Sequence, residues 1–249
     1  MGDAAADAGA KRAAPSDPYA DGKRAAAYRA VDELVRSGMA VGVGTGSTAA
    51  YVAKRLGERA RTEPGFSVKC VPTSFQSRQL LVENALELTD LERTPELDVV
   101  IDGADEVDER LECIKGGGGA QTQEKVVAAA GKVFCVVADD RKSQKVLGAT
   151  WKAGVPVEVL SMAYVPVMRR IERLGGKPTL RMAKAKAGPV VTDNGNFLID
   201  ADFGEIRDPA KLNLELSLIP GVVETGLFVG MCSVAYFGRA DGSVLKVVR

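Results

Sequence analysis

Between residues 98 and 125 the chain reads DVVIDGADEVDERLECIKGGGGAQTQEK, and the side chains that could do chemistry crowd into it. Asp102 and Asp105 stand three apart, Lys115 follows ten residues later, Gly116 to Gly119 form a run of four, and Glu124 comes nine after Lys115. Paired carboxylates can shuttle a proton between neighbouring oxygens of a substrate. A lysine and a row of glycine amides can hold the oxyanion that such a transfer creates. Glycines cost folding entropy, and they permit the close backbone approach that an anion needs. Each residue also has a plainer reading. Aspartates are common in turns because they bond nearby amides, and a glutamate in a helix's first turn complements the dipole. Asp102, Asp105 and Asp108 could together bind a metal, although their spacing is not that of an EF-hand loop.

A second constellation lies upstream. Gly44-Thr45-Gly46-Ser47-Thr48 joins a strand-like run to a helical one, so free amides and hydroxyls gather at a helix N-terminus. That arrangement suits a phosphate. Gly44, Gly46 and Ala49 also satisfy the dinucleotide pattern G-x-G-x-x-G/A. The next strand, however, ends in Pro72-Thr73-Ser74, with no acidic residue to hold a ribose hydroxyl, so a monophosphate fits better than NAD.

Composition removes several classes. The chain has no histidine, which excludes an imidazole base, a histidine triad and His-ligated metal. Proton transfer must then fall to carboxylates, lysine, tyrosine, cysteine or water. Formal net charge is zero, which gives no electrostatic footprint for nucleic acid or an anionic membrane. No apolar run approaches the roughly 20 residues that span a bilayer. Cys70, Cys113, Cys135 and Cys232 are widely spaced and form no CxxC pair, which predicts buried, reduced thiols and a cytoplasmic protein.

The elements that must position these groups alternate. Helical spacing from Asp21 is followed by a strand at Met39 to Val43, a helix from Ser47 to Ala60 and a strand at Phe66 to Val71. A helix from Ser74 to Ala85, a strand at Asp98 to Ile101, a helix from Gln121 to Ala130 and a strand at Lys132 to Ala138 complete the series. This order predicts a doubly wound parallel sheet, which would hold ligands at its strand ends. The pattern changes near Trp151. Strands at Val157 to Leu160, Thr179 to Met182 and Val222 to Val229, helices from Tyr164 and Pro209, and a hairpin at Asn194-Gly195 suggest a ferredoxin-like α+β unit. The expected organisation is a disordered leader over 1–20, a Rossmann-like α/β domain from 21–150 and 229–249, and a smaller domain from 151–228.

Several segments together resemble ribose-5-phosphate isomerase of the A type: GVGTGSTA (42–49), PTSFQS (72–77), IDGADEVD (101–108), IKGGGGA (114–120) followed by EK, VVADDRK (136–142), VTDNGN (191–196) and IPGVVETGLF (219–228). The resemblance runs in order from about residue 21 to the last. It implies an aldose–ketose isomerase of the non-oxidative pentose phosphate pathway, without cofactor or metal, assembled as a homodimer or homotetramer. It implies Glu124 as the base, with Asp102, Asp105 and Lys115 on the sugar. Substrate contacts would extend over Thr45, Gly46, Ser47 and Thr48, the Gly103-Ala104 turn, Lys115 to Gly118 (Gly116 and Gly117 included) and Lys142. Asp102 would assist ring opening, and Asp105 would relay a proton between O1 and O2 of a cis-enediolate. The leader has no counterpart in the family, and Gln121 stands where leucine is frequent. Aminosugar-phosphate deamination, CoA transfer through a glutamate nucleophile, and a non-catalytic sugar-phosphate sensor are the alternatives for such a fold.

Overall fold

The computed structural model describes residues 17–249. Of the leader expected over 1–20, the first sixteen residues lie outside this range, and Ala20 belongs to the first helix. Ala20–Leu34 (α1) is followed by Ala40–Val43 (β1), Ser47–Thr62 (α2), Lys69–Pro72 (β2), Phe75–Glu83 (α3), Glu87–Leu88 (β3) and Val99–Asp102 (β4). Two very short strands, Glu106–Val107 (β5) and Cys113–Ile114 (β6), precede Gln121–Ala129 (α4) and Phe134–Asp139 (β7). Then come Val155–Val159 (β8), Tyr164–Arg173 (α5), Lys177–Leu180 (β9), Phe197–Asp202 (β10), Pro209–Ser217 (α6) and Val222–Thr225 (β11). Leu227–Phe228 (β12), Val234–Gly238 (β13) and Val244–Val248 (β14) close the chain.

The large sheet has the order β14-β13-β7-β4-β1-β2-β3, parallel except for the edge strand β14. The winding runs outward from β1 through β2 and β3, then returns to build β4, β7 and β13 on the other side. The switch point therefore falls between β1 and β4, where such sheets open a crevice at their strand ends. Register sets what meets there: Val43 pairs with Ile101, so Gly44 and Asp102 leave the sheet side by side. Helix α1 packs closely on β13 and β7 because its buried face is small, Ala26, Ala27, Ala30 and Val31.

A second sheet, β11-β8-β10-β9, is antiparallel throughout and has the strand order of a split βαβ unit. Its core is separate, with Val157, Val159, Val167, Ile171, Ile199 and Leu216 packed together. A third sheet of three strands, β12-β6-β5, was not anticipated. Strands of two residues are too short for alternation to show.

Two expectations need correcting. The run 222–229 is two strands serving different sheets, broken at Gly226. A Cβ there would stand 2.2 Å from the Lys115 carbonyl oxygen, so only glycine allows the approach. Asn194-Gly195 does make a turn, with Gly195 at φ 81° and its N–H donating to Thr192 O at 2.9 Å. It makes no two-stranded hairpin, because β10 pairs with β8 and β9 instead, and Val191 before the turn is half exposed.

Glu106, on β5, ties the three-stranded sheet to the connection that leads into the smaller unit. Its buried carboxylate accepts from Gly148 N–H, from Thr150 N–H at 2.6 Å and hydroxyl at 2.8 Å, and from Trp151 N–H at 3.0 Å. Glu106→Ala should strand these donors and destabilise the protein by roughly 3–5 kcal/mol. Urea unfolding checks this; a midpoint within error of the wild type would show the carboxylate to be dispensable.

Candidate active site

At the switch point Gly44 presses against Asp102: a Cβ on Gly44 would lie 1.8 Å from Asp102 Oδ1. That oxygen accepts from Thr45 N–H at 3.0 Å and Gly103 N–H at 2.7 Å, which fixes the carboxylate beneath the first turn of α2. Thr45 Oγ1 is held inward by Thr73 Oγ1 at 2.8 Å and Ser74 Oγ at 2.7 Å. Gly46 takes φ 101°, and the amides of Ser47 and Thr48 then open α2 facing a cleft of about 230 Å³. Lys23 reaches the same place from the first turns of α1, with Nζ 3.1 Å from Ser47 Oγ and 2.7 Å from Asp17 Oδ2.

Deeper in the cleft stands the strongest charge cluster. Lys115 Nζ lies 2.9 Å from Asp102 Oδ2, 3.2 Å from Glu124 Oε2 and 2.5 Å from Gly103 O. All three side chains are buried, Lys115 to 2% and Glu124 to 4% exposure. The outer oxygen of each carboxylate meets the ammonium as a buried ion pair. Burial works against the Lys115 charge, but Asp102 and Glu124 outweigh it and the ammonium is held more firmly than usual. Burial, with the Asp102 charge adding to it and Lys115 opposing it, pushes the Glu124 carboxyl up to about 8. Burial also raises Asp105, against the pull of the Gly117 N–H, which its Oδ2 accepts at 2.7 Å, and of Lys115.

The hairpin β5–β6 brings Asp105 and Lys115 together across its open end, through Asp105 N–H to Ile114 O at 2.9 Å and Lys115 N–H to Gly226 O at 2.8 Å. The glycine loop follows, with Gly116 at φ 100° and Gly119 at φ 82°. Helix α4 sorts its side chains by face. Gln121 and Glu124 turn inward, Thr122 donates to Glu158 Oε2 at 2.5 Å, and Lys125 reaches Glu224 Oε1 at 2.7 Å.

The sequence-derived site residues are therefore neighbours. Thr45, Gly46, Ser47, Thr48, Gly103, Ala104, Asp105, Lys115, Gly116, Gly117, Gly118, Glu124 and Lys142 line one cleft, and Asp102 lies under its floor. Gly119 turns away, against Leu198. Asp108 uses its carboxylate on Arg110 N–H and Glu112 N–H, 2.9 and 2.8 Å away, within its own turn. Lys23, Asp139 and Arg141 also line the cleft and were missed. Arg141 was visible in VVADDRK, but nothing local marks Lys23. Lys23, Arg141, Lys142 and the α2 amides form an end that suits a dianion, and Lys115 with its carboxylates forms an end that suits proton transfer.

Fold and cleft together define an α/β protein built to hold a small phosphorylated substrate over a buried acid–base cluster. Residues 69–242 match the family described as Ribose 5-phosphate isomerase A (phosphoriboisomerase A). A ribose-5-phosphate isomerase of Dictyostelium discoideum is 54% identical over 224 residues, covering 89% of this chain and 95% of that protein. The Homo sapiens ribose-5-phosphate isomerase is 50% identical over 225 residues, 90% of this chain and 72% of that one. The solved ribose 5-phosphate isomerase A of Methanocaldococcus jannaschii superposes with a TM-score of 0.87 at 40% identity, covering 93% of this chain and all of that one. A D-ribose-5-phosphate isomerase solved in complex with phospho-erythronic acid gives 0.87 at 39%, over 91% and 97% of the two chains. The chain belongs to the ribose-5-phosphate isomerase A family, and it is an isomerase.

Removing the ammonium should expose the conflict it resolves. In Lys115→Met the charge that opposes burial at Glu124 is gone, so its carboxyl should rise further above about 8. Infrared difference spectra at pH 9, above the wild-type Glu124 value of about 8, should show a protonated carboxyl in Lys115→Met that wild type lacks, and Lys115→Met with Glu124→Gln should lose it. Two ionised carboxylates in the single variant would mean that water, not Lys115, compensates them.

Proposed function

We propose that this protein interconverts D-ribose 5-phosphate and D-ribulose 5-phosphate through a cis-enediolate, the aldose–ketose step of the non-oxidative pentose phosphate pathway. The observation that carries the reading is the Lys115 ammonium between Asp102 and Glu124, set beside an anion-binding helix end. The phosphate dianion would sit on the Ser47 and Thr48 amides, with Lys23, Arg141 and Lys142 around it. Thr45 and Gly46 would shape that end, with Gly103 and Ala104 along the sugar. Asp102 would assist opening of the ring. Glu124 would take the proton from C2 and return it to C1, while Lys115 and the amides of Gly116 to Gly118 hold the oxyanion. Asp105 would move a proton between O1 and O2. Only protons move, and the Lys115 charge supplies the electrophile that a metal supplies elsewhere.

The reading extends to location and assembly. Four free, buried cysteines support a reducing, cytoplasmic setting. Exposed Leu160, Met162, Val165, Leu214 and Leu218 on the smaller unit supply an apolar face that assembly as a homodimer or homotetramer would cover.

The direct test supplies ribose 5-phosphate and measures ribulose 5-phosphate, with and without EDTA. Turnover should survive chelation, inorganic phosphate should compete, and free ribose should be a very poor substrate. Equal turnover of ribose and ribose 5-phosphate would remove the phosphate end from the mechanism.

Glu124 carries a sharper expectation. Glu124→Gln keeps the shape and should lower kcat by about 10²- to 10⁴-fold with little change in KM. The base works only when deprotonated, so kcat/KM should fall as pH drops through its pKa. Because that carboxyl is raised to about 8, the acid limb should lie near neutrality rather than in the usual glutamate range. A limb near the ordinary glutamate value of about 4.3 would show that Glu124 is not the titrating base.

A further inference from the structure

The glycine loop holds itself by one turn bond, Gly119 N–H to Gly116 O at 2.9 Å, which leaves the Gly117 carbonyl to another partner. Arg181, just past β9 in the smaller unit, has its guanidinium under the loop. Nη1 donates to Gly116 O at 3.1 Å and to Gly117 O at 3.2 Å. Asp200 on β10 fixes the plane of the fork, accepting from Nε at 2.8 Å and from Nη2 at 2.5 Å. The Arg181 backbone is pinned as well, through its N–H to Leu198 O and its O to Val190 N–H, both at 2.8 Å. Both side chains of the ion pair are less than one-fifth exposed.

We propose that Arg181 is a positioning residue for isomerisation, aiming the amides of the glycine loop at the reacting oxygens. The inference rests on the isomerase reading given above. In a trans peptide the C=O and the following N–H point in opposite directions. Holding Gly116 O from below therefore turns Gly117 N–H upward, where it meets Asp105 Oδ2 at 2.7 Å. Holding Gly117 O turns Gly118 N–H the same way, into the cleft that Gly118 lines. Gly118 N–H has no protein acceptor among the described residues, and so it is free to donate to a substrate oxygen. Without the guanidinium, the Gly116–Gly117 peptide keeps its Gly119 and Asp105 contacts, but the Gly117–Gly118 peptide loses the partner of its carbonyl and could rotate at little cost, because glycine tolerates either face. Arg181 thus braces the peptide that meets Asp105 and sets the oxyanion donor. Lysine cannot replace it, since a single ammonium has no rigid fork to divide between a carboxylate and two carbonyls.

The test compares wild type, Arg181→Ala, Arg181→Lys and Asp200→Asn. Wild-type turnover of ribose 5-phosphate is the control; its absence would defeat the isomerase reading itself, independently of Arg181. Given that turnover, Arg181→Ala should lower kcat/KM by about 10- to 100-fold, less than the roughly 10²- to 10³-fold lost when an oxyanion donor is removed outright. Binding of phospho-erythronic acid, whose carboxylate resembles the enediolate oxygens, should weaken in parallel. Inhibition by inorganic phosphate, which reports on the α2 end, should change by less than about twofold. Guanidinium ion added to Arg181→Ala should restore activity that sodium chloride at equal ionic strength does not. Arg181→Lys should remain impaired, and Asp200→Asn should fall between it and the wild type. The proposal is overturned if Arg181→Ala and Arg181→Lys both keep kcat/KM within about threefold of wild type. It is equally overturned if phosphate and phospho-erythronic acid lose affinity together, since Arg181 would then be merely structural.

Discussion

A buried ammonium between two buried carboxylates is the constraint from which the rest of this structure follows. Taking any one of these ions out of water costs several kcal/mol even after relaxation, and attraction repays it only at close range and with good geometry. Lys115 meets that condition with Nζ 2.9 Å from Asp102 and 3.2 Å from Glu124, and with Gly103 O as a third acceptor. The placement requires Asp102 at a strand end, Glu124 on a helix and Lys115 on neither. The three-stranded sheet supplies the third position. Its strand β6 delivers Lys115 beside Gly226, the one residue type that lets β12 come so close. A sheet of six residues that buries little on its own is thus explained by the charge it must aim.

The smaller unit has a related purpose. Its antiparallel sheet meets α4 along one helix face, through Thr122 on Glu158 and Lys125 on Glu224 and Thr225. Glu158 is itself fully buried and saturated, accepting also from Thr192 Oγ1 at 2.9 Å, Asn194 Nδ2 at 3.0 Å and Asn196 Nδ2 at 2.8 Å. With residues 122 and 125 anchored outward, the helical repeat leaves Glu124 no freedom but to face inward. The VTDNGN segment, which looks like a surface turn, is part of this anchor. The second unit is therefore a template against which α4 is set.

What the sequence revealed and what it hid divide along a physical line. The Gly44 to Thr48 turn, Asp102 at its strand end and the Lys115 glycine loop are local features, each legible from a few consecutive residues. The parallel sheet was legible because most of its strands are buried apolar runs of four to six residues separated by periodic helices. Lys23 was not, because it comes from α1 and reaches Ser47 only through tertiary packing. Glu158 and Asp200 were hidden for the same reason, since each sits in an ordinary strand and acts on another unit. Strands β5 and β6 fell below the length at which alternation can be read. In the 222–229 run, Gly226 was the available signal that one strand was really two.

Under the proposed mechanism, the charge cluster also explains how a glutamate would serve where no imidazole exists. A carboxylate at its ordinary pKa is a weak base for a carbon acid, and proton transfer is most efficient when the base titrates near the working pH. Burial alone would overshoot, leaving Glu124 protonated and idle. Asp102 pushes in the same direction as burial, and Lys115 pushes against both, so the carboxyl rests at about 8. The ammonium that allows two acids to be buried together is therefore the group that brings one of them into range as a base. Basicity and burial are set by the same contact, and a change that relieves one must disturb the other. Histidine would reach a similar pKa with less burial. This chain reaches it with three charges packed so closely that Gly44 against Asp102 and Gly226 against the Lys115 carbonyl leave no room for a Cβ.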